Sequence, residues 1–350
     1  MIAVMRLGVT QTEIDATVAD LRRFCVDVQV SVGVKRTLIC LIGDEHAWDT
    51  DHIAALPGVE RVERIDTPYQ VVALGPMRQH SVVRIGNVEF GGDPNLAAVI
   101  AGPCAIEDRD LAFAIASAVQ KAGATVLRGD AWKARTYPGT FQGLGIPALE
   151  ILRDIKAETG LPFVVDVLCP AHIDLALEYD ADCVRIGTRY MGDVPLLQAA
   201  GAQQQASVMI KRGMNATLLE WLGAAEYVAL EGNLQIILCE RGIRTFETAY
   251  RNTLDINAVL ALREMTHLPV IIDPSHSGGK RSFVPGLSRA AIAAGASGLM
   301  MDVHPHGASA LVDGAQAVEF DELTEVMEQV TGIAGPLGIH LARPTVPVPA

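Results

Sequence analysis

From residue 96 onward, short and mostly apolar runs alternate with longer stretches of helical periodicity. The runs fall at 97–101, 125–127, 163–167, 183–186, 207–210, 235–239, 270–272 and 298–303. Helical patterns lie between them, as at 110–122, 147–159, 171–179, 217–229, 256–266 and 281–294. Continuous apolar strands separated by helices imply a parallel sheet buried on both faces. Eight such repeats in roughly 230 residues match the size of a (β/α)8 barrel, so an α/β fold of the TIM-barrel type is predicted over 96–334. An open, doubly wound sheet is the competing arrangement. No G-x-G-x-x-G follows the first run, which weakens a dinucleotide site.

The first 73 residues have a different rhythm. Strand-like runs at 2–5, 26–30, 36–42 and 59–65 bracket two helical segments. The first helix opens at Thr10-Gln-Thr-Glu13, a capping-box pattern, and runs to about residue 24. The second covers 49–56 and stops at Pro57-Gly58. The order β-α-β-β-α-β predicts a small ferredoxin-like α+β domain. Residues 74–95 carry turn signals, Gly75-Pro76 and Gly91-Gly92-Asp93-Pro94, around a hairpin pattern at 82–90, and read as a linker between domains. The Pro-rich segment 335–350 reads as a mobile or draped tail.

Half of the residues are hydrophobic and the net charge is −13. That balance argues against a nucleic-acid partner, which needs a basic face. It leaves room for small phosphorylated substrates held by a local basic cluster. The six cysteines form no C-x-x-C pair, and no secretory pattern or bilayer-length apolar run is evident. A cytoplasmic location away from membranes is expected.

In a barrel of this type the chemistry gathers where strands end. The ends collect Arg128, Lys133, Arg135, Arg189, Lys211, Arg212, Arg241 and Arg244. Any one of them alone reads as a solvated surface charge. Gathered on one rim of an acidic protein they would repel one another unless an anion sits among them, and forked guanidinium groups suit phosphate and carboxylate. The ends of strands 1, 7 and 8 bring a second set: Cys104, His276, Asp302 and, in the following loop, Asp313. Singly, Cys104 could be an apolar filler and His276 a structural hydrogen-bonding group. Strand 8 closes against strand 1, so the four can meet, and thiolate, imidazole and carboxylate together suit a divalent transition metal.

At these residues the sequence resembles the DAHP (3-deoxy-7-phosphoheptulonate) synthases, in the branch with an N-terminal ferredoxin-like domain. The resemblance rests on AGPCAIED (101–108), KARTYPGTFQGLG (133–145), IGTR (186–189), KRGM (211–214), ILCERGIRTFET (237–248), DPSHSGGKRS (273–282) and VHP…ALVDGAQ (303–316). It implies condensation of phosphoenolpyruvate with erythrose 4-phosphate, the first step of the shikimate route to aromatic amino acids. Cys104, His276 and Asp313 match the family's metal ligands, with Asp302 at the place of a fourth, and the implied ion is Mn²⁺, with Fe²⁺, Co²⁺ or Zn²⁺ as the others. Arg128, Lys133, Arg189, Lys211 and Arg241 match its phosphoenolpyruvate-binding positions. Arg135 and Thr136 match the motif that receives the aldose phosphate, and Asp273 lies beside the aldehyde. Lys133, Asp273 and His276 are the implied catalytic groups. Lys133 is expected to move a proton, with a pKa lowered by burial among cations. The resemblance also implies an aromatic amino acid effector at the N-terminal domain, and a homodimer or homotetramer is expected.

Several positions depart from the family pattern. Asp302 stands where Glu is usual, Asp130 where Gly is usual, Ala134 where Pro is usual, and Tyr137 where Ser or Thr is usual. Val165-Asp166 and Cys169 also differ, as do Thr188 and Tyr190 around Arg189. Three alternatives therefore stand beside the first reading. They are a relative using another aldose phosphate, a 3-deoxy-manno-octulosonate 8-phosphate synthase, and a non-catalytic regulatory paralogue.

Overall fold

The computed structural model describes residues 1–343 except 24, 26, 34–35, 43–47, 64–67 and 76–77, and it divides into two compact units, Met1–Pro68 and Tyr69–Ala350. In the first unit the elements follow the predicted order: β1 (Ile2–Met5), α1 (Gln11–Leu21), β2 (Asp27–Val32), β3 (Thr37–Ile42), α2 (Thr50–Ala54) and β4 (Val59–Glu63). The sheet order is β2-β3-β1-β4 and every pairing is antiparallel. This is the ferredoxin-like arrangement. The capping box forms: Thr10 Oγ1 accepts from the Glu13 N–H, and the Glu13 carboxylate accepts from the Thr10 N–H. Helix α1 stops at Leu21, short of the expected end. Expected features at residues 24, 26, 64–65, Pro76 and 344–350 lie outside the described residues.

The second unit begins with a hairpin, β5 (Val82–Ile85) and β6 (Val88–Gly91). Eight parallel strands follow: β7 (Leu96–Gly102), β8 (Val126–Arg128), β9 (Phe163–Val167), β10 (Cys183–Ile186), β11 (Ser207–Lys211), β12 (Ile236–Glu240), β13 (Val270–Ile272) and β14 (Gly298–Asp302). Each pairs with the next, and β14 pairs back onto β7 from Gly298↔Ala98 to Asp302↔Gly102. That last ladder closes the barrel and excludes an open sheet. Between the strands run α3 (Arg109–Ala122), α4 (Ile146–Thr159), α5 (Pro170–Glu178), α6 (Val194–Ala202), α7 (Leu218–Leu230), α8 (Ile256–Met265), α9 (Pro274–Gly278) and α10 (Val284–Ala293), with α11 (Phe320–Ala334) after β14.

Strand side chains alternate between two faces. One set packs under the helices, as Val184, Ile186 and Leu238 do. The other fills the barrel: Ile100, Val126, Val164, Cys183, Met209, Ile237, Ile271 and Met300 belong to one interior cluster. Val83, Ile85, Val88 and Phe90 of the hairpin join that cluster. The segment expected to be a linker therefore plugs the N-terminal end of the barrel. Phe90 is fully buried there. Phe90→Ala is expected to cost about 3–5 kcal/mol in denaturant unfolding, since it opens a cavity at the barrel floor.

The segment expected to be a tail is also partly built in. Residues Gly335–Leu337 form a 3-10 turn, and β15 (His340–Leu341) pairs in parallel with β7. Among the described residues no helix is long and apolar enough to cross a membrane.

Candidate active site

Extending the alternation to the C-terminal ends of the strands changes the chemistry of the interior. After Val126 comes Arg128, after Val164 Asp166, and after Cys183 Arg185. Met209 leads to Lys211, Cys239 to Arg241, Ile271 to Asp273 and Met300 to Asp302. All seven polar residues are buried. An apolar plug thus carries a charged layer at the end of the barrel where active sites form.

Above that layer is a pocket of about 390 Å³. Lys133, Arg135, Thr136, Arg189, Lys211, Arg241 and Arg244 line it together with His276 and Asp313. Arg189 donates to Thr136 Oγ1 at 2.8 Å, so the loops after β8 and β10 meet over the mouth, and within the first of them Arg135 donates to Thr140 Oγ1 at 3.1 Å. Arg241 is buried, yet its Nε and Nη1 have no hydrogen-bond partner among the described residues. Burial pushes its pKa down. A buried guanidinium with unmet donors is costly unless an anion completes it. A larger groove, about 1040 Å³, lies beside β15 and contains none of these groups.

Arg212 is a correction. It pairs with Glu240 at 2.8 Å and Asp255 at 2.9 Å and lies over the Trp221 ring, away from the pocket. The reason is parity: Lys211 faces inward, so its neighbour faces outward.

Cys104, His276, Asp302 and Asp313 come together, each offering one ligand atom within 4.8 Å of the others. Their scaffold explains why. Asp302 ends β14, next to β7, and Cys104 follows Gly102, where β7 ends. A Cβ on Gly102 would lie 2.2 Å from the Arg128 carbonyl oxygen, so only glycine lets the chain turn there. Asp273 caps α9 by accepting from the His276 N–H at 2.8 Å, which aims the imidazole. Asp313 sits in the left-handed region, φ 54°.

Within the cluster, Cys104 Sγ lies 3.3 Å from Asp313 Oδ2, His276 Nε2 3.4 Å from the same oxygen, and His276 Nδ1 3.4 Å from Asp302 Oδ2. His276 Nδ1 is also 2.8 Å from Asp273 Oδ2, though poorly directed for a hydrogen bond. Burial alone would lower the His276 imidazole, but Asp273 and Asp302 outweigh it and push it up to about 9. Burial would raise Asp313, but His276, Arg251 and Lys133 hold it well below the carboxylate range. A thiol, an imidazole and two carboxylates in a mostly buried nest fit a divalent transition metal. Asp302 reaches the cluster with its shorter side chain. Its oxygens also accept from Arg128 and from Gln316 Nε2 at 2.6 Å.

Lys133 departs from expectation. Its Nζ donates to Asp130 Oδ2 at 2.7 Å, to the Cys104 carbonyl at 3.0 Å and to Cys104 Sγ at 3.2 Å. Burial lowers its pKa, but Asp130 and Cys104 outweigh burial and Arg128, and the net direction is upward. The lysine whose pKa falls is Lys211, through burial and nearby Arg185 and Arg128, against the pull of Asp273 at 2.5 Å.

The sequence reading missed four residues at the site. Arg185 was hidden inside a run treated as apolar; its inward parity was the available signal. Arg251 contacts Asp313 at 3.4 Å and Gln316 at 2.8 Å, and Asn252 donates to the His276 carbonyl at 3.1 Å. Gln316 closes the chain of contacts onto Asp302. No local pattern marks these last three.

Comparison with known proteins gives a consistent picture. The model of the DAHP synthetase I family matches residues 75–334, and that of the DAHP synthase ferredoxin-like domain matches residues 1–67. The phospho-2-dehydro-3-deoxyheptonate aldolase of Thermotoga maritima is 41% identical over 341 residues, covering 97% of this chain and all of that protein. The 2-dehydro-3-deoxyphosphooctonate aldolase of Syntrophotalea carbinolica is 32% identical over 270 residues, covering 72% of this chain and 95% of its own. The crystal structure of the Thermotoga maritima DAHP synthase superposes with a TM-score of 0.76 at 40% identity, covering 97% of this chain and 98% of that one.

Proposed function

The chain belongs to the DAHP synthetase I family, and on that premise we propose that it condenses phosphoenolpyruvate with erythrose 4-phosphate to give 3-deoxy-D-arabino-heptulosonate 7-phosphate and phosphate. The observation that carries this reading is the pocket in which Lys133, Arg189, Lys211 and Arg241 meet His276 and Asp313, two members of the cluster completed behind them by Cys104 and Asp302. The ferredoxin-like match at 1–67 favours the heptulosonate over the octulosonate reaction, because the octulosonate relative aligns with only 72% of this chain.

In the reaction, C3 of phosphoenolpyruvate forms a bond to the aldehyde carbon, water adds at C2, and phosphate leaves with cleavage of its bond to C2. Arg128, Lys133, Arg189, Lys211 and Arg241 hold the phosphate and carboxylate and offset charge that develops on them. Arg135 and Thr136 receive the phosphate of the aldose. Cys104, His276, Asp302 and Asp313 would hold a divalent ion, with Mn²⁺ first among the candidates, and when bound it would supply Lewis-acid polarisation of the aldehyde. Asp273 keeps His276 and Lys211 in place through both carboxylate oxygens. Lys211, with its lowered pKa, suits proton donation better than Lys133, which works as a fixed positive charge.

The ferredoxin-like unit is proposed to bind an aromatic amino acid effector, and the working form to be a homodimer or homotetramer. The six free thiols fit a reducing, cytoplasmic setting. The test of the activity is a panel of aldose phosphates with phosphoenolpyruvate and Mn²⁺, following phosphate release. Erythrose 4-phosphate is expected to give the highest kcat/KM. Preference for arabinose 5-phosphate, or no release with any aldose, would overturn the reading.

A further inference from the structure

One buried carboxylate in the pocket floor serves three cations. Asp130, two residues beyond β8, is fully buried. Both of its oxygens accept from Arg185 Nη2 at 2.7 Å. Its Oδ2 also accepts from Lys133 Nζ at 2.7 Å and lies 3.4 Å from Arg128 Nη2. Arg185 stands opposite Asp166 in the β9–β10 ladder, and its Nε lies 3.3 Å from the Asp166 carboxylate. Arg185 and Asp166 both line the pocket. Burial would raise Asp130, but Arg185, Lys133 and Arg128 outweigh it and hold it ionised.

Two of those three cations, Lys133 and Arg128, are assigned above to the phosphoenolpyruvate anion. Arg185 is not. Of the three, its guanidinium is the one that bonds to both Asp130 oxygens. Without it, Asp130 would draw Lys133 and Arg128 toward itself and set a negative charge against the incoming carboxylate and phosphate. Without Asp130, Lys133, Arg128 and Arg185 would repel one another in a buried site. We propose that Arg185 and Asp130 are a coupled positioning pair that sets Lys133 and Arg128 for the enolpyruvyl anion. Each is needed chiefly because the other is present, with Asp166 as a second and weaker partner of Arg185. The inference rests on the phosphoenolpyruvate reading of the pocket.

The test is a double-mutant cycle on the full chain loaded with Mn²⁺: Arg185→Gln, Asp130→Asn and the double variant. KM for phosphoenolpyruvate and kcat are measured by phosphate release, with a thermal melt of each protein. Arg185→Gln is expected to raise KM for phosphoenolpyruvate by roughly tenfold or more with kcat changed little, and Asp130→Asn to do at least as much harm. The double variant should return KM to within a few-fold of the parent. A double variant no better than the worse single variant would overturn the inference. If Asp130→Asn does not fold, Arg185→Lys is read against Arg185→Gln: near-parent KM for Lys and raised KM for Gln support the pair, and equal KM values overturn it. A parent protein that does not consume phosphoenolpyruvate would instead sink the function itself, so the two failures are distinct.

Discussion

Cys104→Ala is expected to abolish metal-dependent phosphate release while leaving the barrel folded. Cys104 supplies the thiolate of a four-residue cluster whose ligand atoms lie within 4.8 Å of one another. Even partners outside a metal's own ligands typically matter by about ten- to a hundredfold in affinity. Loss of a ligand should therefore weaken Mn²⁺ binding by more than about a hundredfold. The sulfur is small and sits among Ala105, Val312 and the partly buried Phe141, so the cost in stability should stay near 1 kcal/mol. His276→Ala should behave in the same way. Manganese titration followed by electron paramagnetic resonance, alongside the phosphate assay, separates lost binding from lost folding. Parent-like turnover in either variant would remove the cluster from the mechanism.

Arg241→Ala should lower kcat/KM for phosphoenolpyruvate by roughly a hundred- to a thousandfold. It should do so without lowering stability, and this opposition is what makes the variant informative. Arg241 is buried with Nε and Nη1 unpartnered among the described residues, so the folded protein carries a desolvated charge with two of its donors unmet. Removing it relieves that cost in the free enzyme and forfeits the anion contact in the bound one. Denaturant unfolding is expected to give a midpoint equal to or above the parent's. A loss of stability comparable with the loss of activity would mean that Arg241 is structural.

The barrel was readable because its strands are buried on both faces, which leaves uninterrupted apolar runs such as 163–167 and 270–272. The charged layer was only half readable. Listing residues near strand ends found Lys211 and Arg241 but also admitted Arg212, which points the other way, and it passed over Arg185 inside its run. Counting alternate positions from Cys183 and Met209 would have settled both. The direction of the Lys133 pKa was missed although Asp130 stands only three residues before it, because the lysine was read among the cations of the rim and the 2.7 Å pairing depends on how the loop folds back. The Arg251, Gln316 and Asp302 contacts join segments far apart in the chain and leave no local trace. The hairpin at 82–90 was visible as a hairpin; that Val83, Ile85, Val88 and Phe90 plug the barrel is a property of tertiary packing.

The most direct measurement is the phosphorus relaxation of phosphoenolpyruvate bound to the protein in the presence of Mn²⁺. If the cationic wall and the thiolate–imidazole–carboxylate cluster share one pocket, the paramagnetic ion should strongly broaden the phosphorus signal in the parent, and Cys104→Ala should abolish the broadening. Phosphoenolpyruvate that binds with its phosphorus signal untouched by protein-bound Mn²⁺ would contradict the account.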